Sequence, residues 1–415
     1  MASEVLLLGF WWEAAALALM APVWAWWALS AACLLLLATA AALPGRRALP
    51  QPGRLRRFCI LIPAHDEELN LGAVLAGLRR LDYPADRFAV VVIADNCTDG
   101  TARAARAGGA EVLERVDADR RGKGYALEWA VRQLLADARR FDAFVVMDAD
   151  SLLNPAFLRQ MNARLDGGAH AIQARYDVLN AWESWRTRLM TVALALAHHV
   201  KPLGRARLGL SDGLKGNGMC FSREAAERVP WSGESITEDM EHTLRLVRAG
   251  YRVEYAPEAR VEAQMPTTGR QAASQRCRWE GGRWGLARRA VPLLAEGLRR
   301  RNLVLADRAA DLLMPPFAEM LAVPAVMVLA AAGWRLALPE SGAAQLALGA
   351  WAGVLAACVA YLAAGLAIAR VPAGLACALL LAPAYMLWKF ALYGRMVARR
   401  GAQGWRRTER RTLEG

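Results

Sequence analysis

No charged side chain falls between Glu13 and Arg46, and that gap sets the first limit on what the chain can fold into. The run exceeds the roughly 20 residues that carry a helix across a bilayer. It is also longer than the apolar core of a secretory signal, so it predicts a retained anchor rather than a cleaved leader. Trp11 and Trp12 stand just before it and Trp24, Trp26 and Trp27 within it, and indole rings favour membrane–water interfaces. Residues 1–45 therefore read as one span, or as two short ones. A second apolar region closes the chain. Residues 341–369 and 371–388 read as spans within a C-terminal membrane segment over 341–393. The 15 uncharged positions between Glu319 and Arg335 include Pro324, and residues 302–319 carry Asp307, Asp311 and Glu319. Residues 301–335 therefore predict interfacial or re-entrant helices, with two full crossings after the central domain and a basic tail at 394–415.

The 415 residues are 55% hydrophobic yet 22% charged, with a net charge of +13. These proportions suit neither one soluble enzyme nor a pure helical bundle. Arginine clusters at 46–57, 299–301 and 395–411 flank the apolar segments, which fits cytoplasmic loops facing anionic membrane lipids at the cell membrane. The charge needs no nucleic acid to explain it, because no helix-turn-helix, zinc or base-stacking motif accompanies it. Seven cysteines without a Cys-x-x-Cys pair argue against a zinc site or a disulfide framework.

The middle of the chain alternates strands and helices. Phe58–Ile62 is a strand stopped by Pro63, and Ala64-His-Asp-Glu-Glu68 leads into a helix with Leu69, Val74 and Leu78 on one face. Val90–Ala94 ends in Asp95-Asn-Cys-Thr-Asp-Gly100. A strand at 110–116 precedes Arg120-Arg-Gly-Lys-Gly124 and a helix over 125–137. The fourth strand, Phe144–Asp150, ends in two carboxylates. Alternation along a strand puts Asp148 and Asp150 on one side, where hard oxygen ligands suit Mg²⁺ or Mn²⁺ holding substrate phosphates. This order predicts a parallel α/β sheet with its ligands at the strands' carboxyl ends, where every polar cluster lies.

Lys123, between glycines at a helix start, can meet a phosphate, although no P-loop is present. The plain alternative for this stretch is a flexible basic loop. Further on, Ser211–Gly218 is a glycine-rich loop before a short strand, Met219–Phe221. Thr237 is placed to cap a helix opened by Glu238 and Asp239, where acids also suit the helix dipole. Gln275-Arg-Cys-Arg-Trp279 sets two cations beside an aromatic on a helix. His198 and His199 lack a third ligand at metal spacing and read as structural.

Taken in order, Asp95–Gly100, Asp148-Ala-Asp150, Thr237-Glu-Asp239 and Gln275-Arg-Cys-Arg-Trp279 resemble the motifs of membrane-bound family 2 glycosyltransferases. That group contains the cellulose, chitin, hyaluronan and poly-N-acetylglucosamine synthases, and the resemblance covers about residues 57–290. It implies a Rossmann-like GT-A domain over 55–300 that uses a nucleotide-diphosphate sugar, a UDP-sugar first among them. Asp95 would bind the base, with His65 and Glu67 in the same pocket. Lys123 and Asp148 would hold the nucleotide, and Asp150 with Asp148 the metal and diphosphate. Asp239 would be the general base with Glu238 beside it in a catalytic pair, and Gln275, Arg278 and Trp279 would lie by the diphosphate and acceptor. The implied reaction is metal-dependent, inverting and β-forming, extending a polysaccharide. Addition of one sugar to a lipid is the alternative, and an inactive scaffold or translocation subunit is the reading from another class. A partner subunit is left open. Trp405-Arg-Arg-Thr-Glu-Arg410 resembles a basic element of bacterial polysaccharide members. The Lys215–Gly218 loop and the small membrane region depart from the synthase pattern.

Overall fold

The structure, a computed structural model, describes residues 2–45, 53–235 and 237–398. The Trp405–Arg410 element and the arginines beyond Arg395 lie outside the described residues. Eight strands form the central sheet: β1 (Phe58–Ala64), β2 (Phe88–Asp95), β3 (Glu111–Arg115), β4 (Ala143–Val146), β5 (Ser151–Leu153), β6 (Ala171–Val178), β7 (Met219–Ser222) and β8 (Val253–Ala263). Their order is β3-β2-β1-β4-β7-β6-β8-β5. Fully buried Ile60 and Ile62 face one apolar core while Cys59 and Leu61 face another. Both faces are therefore covered, which is why these strands read as continuous apolar runs rather than alternating ones.

Four particulars differ from the expectations. The sheet is mixed: β1, β2, β3 and β4 run parallel, but β7 is antiparallel to β4 and β6, and β5 to β8. The loop before Met219 lies at the carboxyl end of β4, since Val146 pairs with Met219, so the strand leaving it must run backwards. Second, β4 stops at Val146, and Asp148 and Asp150 sit in the turn before β5, where strand alternation does not apply. Third, Leu69 is exposed, and the inward face of helix Glu68–Leu78 is Leu71, Val74, Leu75 and Leu78. Fourth, Thr237 occupies the N-cap position but its side chain caps nothing; its hydroxyl meets that of Ser235 at 3.2 Å.

The N-terminal helix is continuous over Ala2–Ala42. Residues 301–335, expected as interfacial or re-entrant helices, contain helix Leu303–Leu313 and most of helix Phe317–Ala337, which runs unbroken through Pro324, a residue that apolar membrane helices tolerate. By length and composition four helical segments can cross a membrane: 11–42, 317–337, 342–369 and 373–398. The first three pack on one another, with Trp12 against Trp334 at their far ends and Phe317 against Tyr361 near the domain. The fourth is broken by a 3₁₀ turn at Cys377–Leu381 and touches the domain at both ends. A Cβ at Gly374 would lie 3.1 Å from Trp182, and Lys389 pairs with Glu280 at 2.9 Å and Glu319 at 2.8 Å. Between these spans, helix Leu303–Leu313 turns its acids inward, Asp307 to Arg205 (3.0 Å) and Asp311 to Lys201 (2.6 Å).

Candidate active site

The carboxyl ends of β1, β2 and β4 open into a cavity of 1480 Å³ that continues between the membrane helices. Ligand pockets commonly hold about 300–1,000 Å³, so this one has room for two substrates. His65, Glu67, Asp95, Lys123, Asp148, Asp150, Glu238, Asp239, Gln275, Arg278 and Trp279 all line it. Every site residue singled out from the sequence therefore reaches one space.

At the inner end, parallel pairing of β1 with β2 brings His65 and Asp95 together, and the His65 ring Nδ1 lies 2.8 Å from the Asp95 carbonyl oxygen. The Asp95 carboxylate accepts from Arg115 Nη1 at 2.6 Å and from Asn96 at 3.0 Å. Arg115 and Asp95 are register partners across β2 and β3, and both side chains are buried. Arg115 is not legible in the sequence as a site residue, because a strand register joins it to Asp95 across 20 residues. Glu67 is buried and accepts from Asn70 at 3.3 Å.

In the middle, Lys123 Nζ donates to the Asp148 carboxylate and to the Gly216 carbonyl. Burial acts to lower its ammonium, but Asp148, Glu238 and Asp239 outweigh it and leave it raised. The glycine-rich loop acts as a clamp on the acidic turn. Asn217 Oδ1 accepts from the Asp148 N–H (3.1 Å), and Asn217 Nδ2 donates to Ser151 Oγ (2.8 Å), which in turn meets Asp150. Gln173 holds the loop itself, donating to the Asn217 carbonyl and accepting from the Lys215 N–H. Left-handed backbone at Gly216 (φ +75°) lets the loop pass beside Asp239, whose Oδ2 would lie 3.4 Å from a Cβ there. Asn217 was legible as part of a loop, not as a clamp.

Asp148 and Asp150 present two hard carboxylates on one turn, a donor set suited to Mg²⁺ or Mn²⁺, which keep several ligand positions for phosphate and water. Asp66, Cys97 and Asp99 also bring ligand atoms within 4.8 Å of one another. There, however, Asp66 already accepts the N–H groups of Thr98 and Asp99.

Glu238 and Asp239 open helix Glu238–Arg248 at the cavity wall. Burial, with Asp239 next to it, pushes the Glu238 carboxyl up to about 8. Burial likewise raises Asp239, against the Met240 N–H it accepts at 2.8 Å and the Lys123 charge. A carboxyl poised towards neutrality is a stronger proton acceptor than an exposed one. Above them runs helix Gly269–Arg299, capped by Thr268, which aims Gln275, Arg278 and Trp279 into the cavity. It comes close because residue 282 is glycine: a Cβ there would meet Thr237 Cγ2 at 2.1 Å.

The two histidines part company. His199 meets the Tyr255 hydroxyl at 2.8 Å. His198 lines the cavity, stacked 5.5 Å from Tyr176, and its Nδ1 is buried without a hydrogen-bond partner among the described residues. Burial, with Lys215 and Lys201 nearby, keeps its ring neutral.

This α/β sheet, with its acidic turn at a strand tip and a carboxylate pair facing it across one cavity, is a GT-A fold. The family described as "Glycosyltransferase like family 2" matches residues 56–282, more than half of the chain, and the chain belongs to it. Among similar proteins, the probable glycosyltransferase YdaM of Bacillus subtilis is 27% identical over 239 residues, 55% of each chain. The beta-monoglucosyldiacylglycerol synthase of Synechocystis is 29% identical, covering 54% of this chain and 48% of that one. Glucomannan 4-beta-mannosyltransferase 1 of Oryza sativa is 24% identical, covering 59% and 48%. The chain thus spans about half the length of the curated relatives it matches. Mannosyltransferase PcManGT of Pyrobaculum calidifontis, solved with GDP-Man and Mn²⁺, shares the fold with a TM-score of 0.51 at 22% identity, covering 84% of this chain and 98% of that one.

Proposed function

We propose that the protein transfers a sugar from a nucleotide-diphosphate sugar to a hydroxyl-bearing acceptor at the membrane, with inversion to a β-linkage. The observation that carries this reading is the convergence of three separate motifs on one cavity: the Asp148–Asp150 turn, Asp239, and Gln275 to Trp279. His65, Glu67 and Asp95 hold the base, and Lys123 with Asp148 the nucleotide. Gln275, Arg278 and Trp279 flank the diphosphate, where a cation stabilises charge as it develops. Asp239, with Glu238 beside it, takes the acceptor's proton, a contribution typically of about 10²–10⁴-fold. Asp148 and Asp150 would hold Mg²⁺ or Mn²⁺, which neutralises the leaving diphosphate. The likeness to an enzyme solved with GDP-Man and Mn²⁺ supports that donor class and metal.

The acceptor end of the cavity favours a lipid. Leu321, Ala322, Ala325 and Val326 of one membrane helix and Leu387 and Phe390 of another form its wall, and aliphatic walls suit acyl chains better than a hydrated glycan. The likeness to a glucosyldiacylglycerol synthase agrees. The likeness to glucomannan mannosyltransferases supports the second reading, a growing polysaccharide. The contacts of residues 373–398 with the domain at both ends support a surface-lying segment, with crossings at 11–42, 317–337 and 342–369. That arrangement leaves the domain and the arginine-rich tail together in the cytoplasm.

The test is nucleotide-diphosphate release by the purified protein over a panel of UDP- and GDP-sugars with Mg²⁺ or Mn²⁺, with Asp239→Asn alongside. Release from one donor that the variant abolishes, with a labelled lipid product, is expected. Release that survives Asp239→Asn would refute the assigned base.

A further inference from the structure

Among the guanidinium groups lining the cavity, Arg186 and Arg276 have no part in the transfer reaction described above and stand close to each other. Arg186, on helix Trp185–Leu194, sits over two indoles, its guanidinium carbon 4.3 Å from the Trp185 ring centre and 5.1 Å from that of Trp388. Its Nη1 is buried and has no hydrogen-bond partner among the described residues. Arg276 lies over the Trp279 ring at 5.4 Å, with Nη2 3.7 Å from the Met190 sulfur. Met190 is four residues beyond Arg186, on the same helix face, so Arg276 approaches the face of helix Trp185–Leu194 that carries Arg186. Both line the cavity, and neither takes part in an ion pair among the described residues. The lysines lining the cavity are all ion-paired: Lys123 with Asp148, Lys201 with Asp311, Lys215 with Asp212, and Lys389 with Glu280 and Glu319.

A buried charged donor without an acceptor is costly, and indole faces leave the guanidinium edge as its one polar outlet. The place is specific as well. Arg276 adjoins Gln275 at the donor end, while Leu189, Ala193 and Leu321 begin the apolar wall. A ligand filling this space carries an anionic oxygen cluster next to an acyl chain.

We propose that Arg186 and Arg276 form an acceptor subsite for the phosphate of a glycerophospholipid whose headgroup also bears a free hydroxyl. This rests on the transferase reading above. The hydroxyl oxygen bonds to the anomeric carbon, and the bond from that carbon to the diphosphate breaks with its electron pair leaving on the diphosphate. The hydroxyl proton passes to Asp239, and the lipid phosphate is unchanged throughout.

The experiment uses the full chain in neutral phosphatidylcholine nanodiscs, doped with phosphatidylglycerol, diacylglycerol or a polyprenyl monophosphate. Lipid retention is first measured by native mass spectrometry without donor, which is independent of catalysis. Wild type is expected to retain phosphatidylglycerol over diacylglycerol, and Arg186→Gln to lose that preference. Equal retention overturns the inference whatever the donor assay shows. With donor present, Arg186→Gln should raise KM for phosphatidylglycerol by about tenfold, the loss of one charge-assisted contact, while donor KM stays within about twofold. Arg186→Lys should recover part of this. Trp388→Leu removes one of the two indoles but keeps the cation; if it reproduces the Arg186→Gln loss, Arg186 is a packing residue and the inference falls. Transfer to polyprenyl monophosphate that survives Asp239→Asn would make phosphate the nucleophile and overturn the subsite's assigned role. Retention as expected without any Asp239-dependent release would instead sink the transferase reading and leave the lipid site standing.

Discussion

Gly282→Ala tests whether the site depends on how closely two segments approach. A Cβ at 282 would stand 2.1 Å from Thr237 Cγ2. Carbon pairs settle at about 3.5 Å or more, so the helix and the Thr237 segment must part by about 1.4 Å. Thr237 cannot easily rotate clear: it is β-branched and stiff at χ1, buried, and its hydroxyl meets Ser235. The separation therefore passes to the backbone. On one side it carries Glu238 and Asp239, and on the other Gln275, Arg278 and Trp279. Overpacking of this kind costs about 1–3 kcal/mol of stability, and a misplacement of about 1 Å in a reacting constellation can cost about 10²-fold in rate. We expect kcat for nucleotide-diphosphate release to fall by about that factor, with a modest loss in Tm. Thr237→Ser removes the clashing methyl, so the double variant should recover most of the rate. A single variant within about threefold of wild type, or a double variant no faster than the single, would refute the close-packing argument.

Three more outcomes follow from the same geometry. Glu238 is raised from 4.5 to about 8, so the folded protein keeps a proton that the unfolded chain releases. Its contribution to stability is present below about 4.5 and is lost as pH rises towards about 8. Apo-protein Tm should thus fall across that window while kcat/KM rises, and Glu238→Gln should flatten the Tm slope; an unchanged slope would contradict the assignment. Arg115→Met would leave Asp95 buried without its cation, and breaking such a pair costs about 3–5 kcal/mol. Thermal unfolding and UDP titration should show lower stability and weaker nucleotide binding, whereas unaltered binding would separate Arg115 from the base pocket. Finally, a C-terminal green fluorescent protein should fluoresce and a C-terminal alkaline phosphatase stay silent; an active phosphatase would mean that residues 373–398 cross the membrane.

The end of the cavity at the strand tips was legible in the sequence for a physical reason. Strands buried on both faces read as short apolar runs, and the residues at their carboxyl tips are the first polar ones after each run. His65, Asp95 and Asp148 could therefore be picked out one strand at a time. What could not be read was anything fixed by strand direction or register. Arg115 meets Asp95 through the pairing of β2 with β3, and β7 runs backwards because its preceding loop lies at the site edge. Asp150 reached the cavity although the alternation argument that placed it fails, since β4 ends before either carboxylate.

The acceptor end differs in kind, and that difference bears on how such a protein can change its substrate. Its walls come from helices 185–194, 269–299, 317–337 and the 373–398 segment, which are far apart in the chain and meet through side chains: Arg186 on Trp388, Lys389 between Glu280 and Glu319. No periodicity in any one helix announces such contacts. The 317–337 segment has nearly uniform apolarity, and that apolarity serves the bilayer and the cavity alike, so composition cannot say which side chains face which. The proposed donor pocket, by contrast, depends on none of these helices except 269–299, which carries Gln275, Arg278 and Trp279 on one stretch and Arg276 between them. Substitutions in 185–200 and 317–390 can therefore reshape the acceptor site while the diphosphate end stays intact. Residue 276 is the point where the two ends are covalently joined, and altering it should shift acceptor and donor KM together, where Arg186 shifts the acceptor alone.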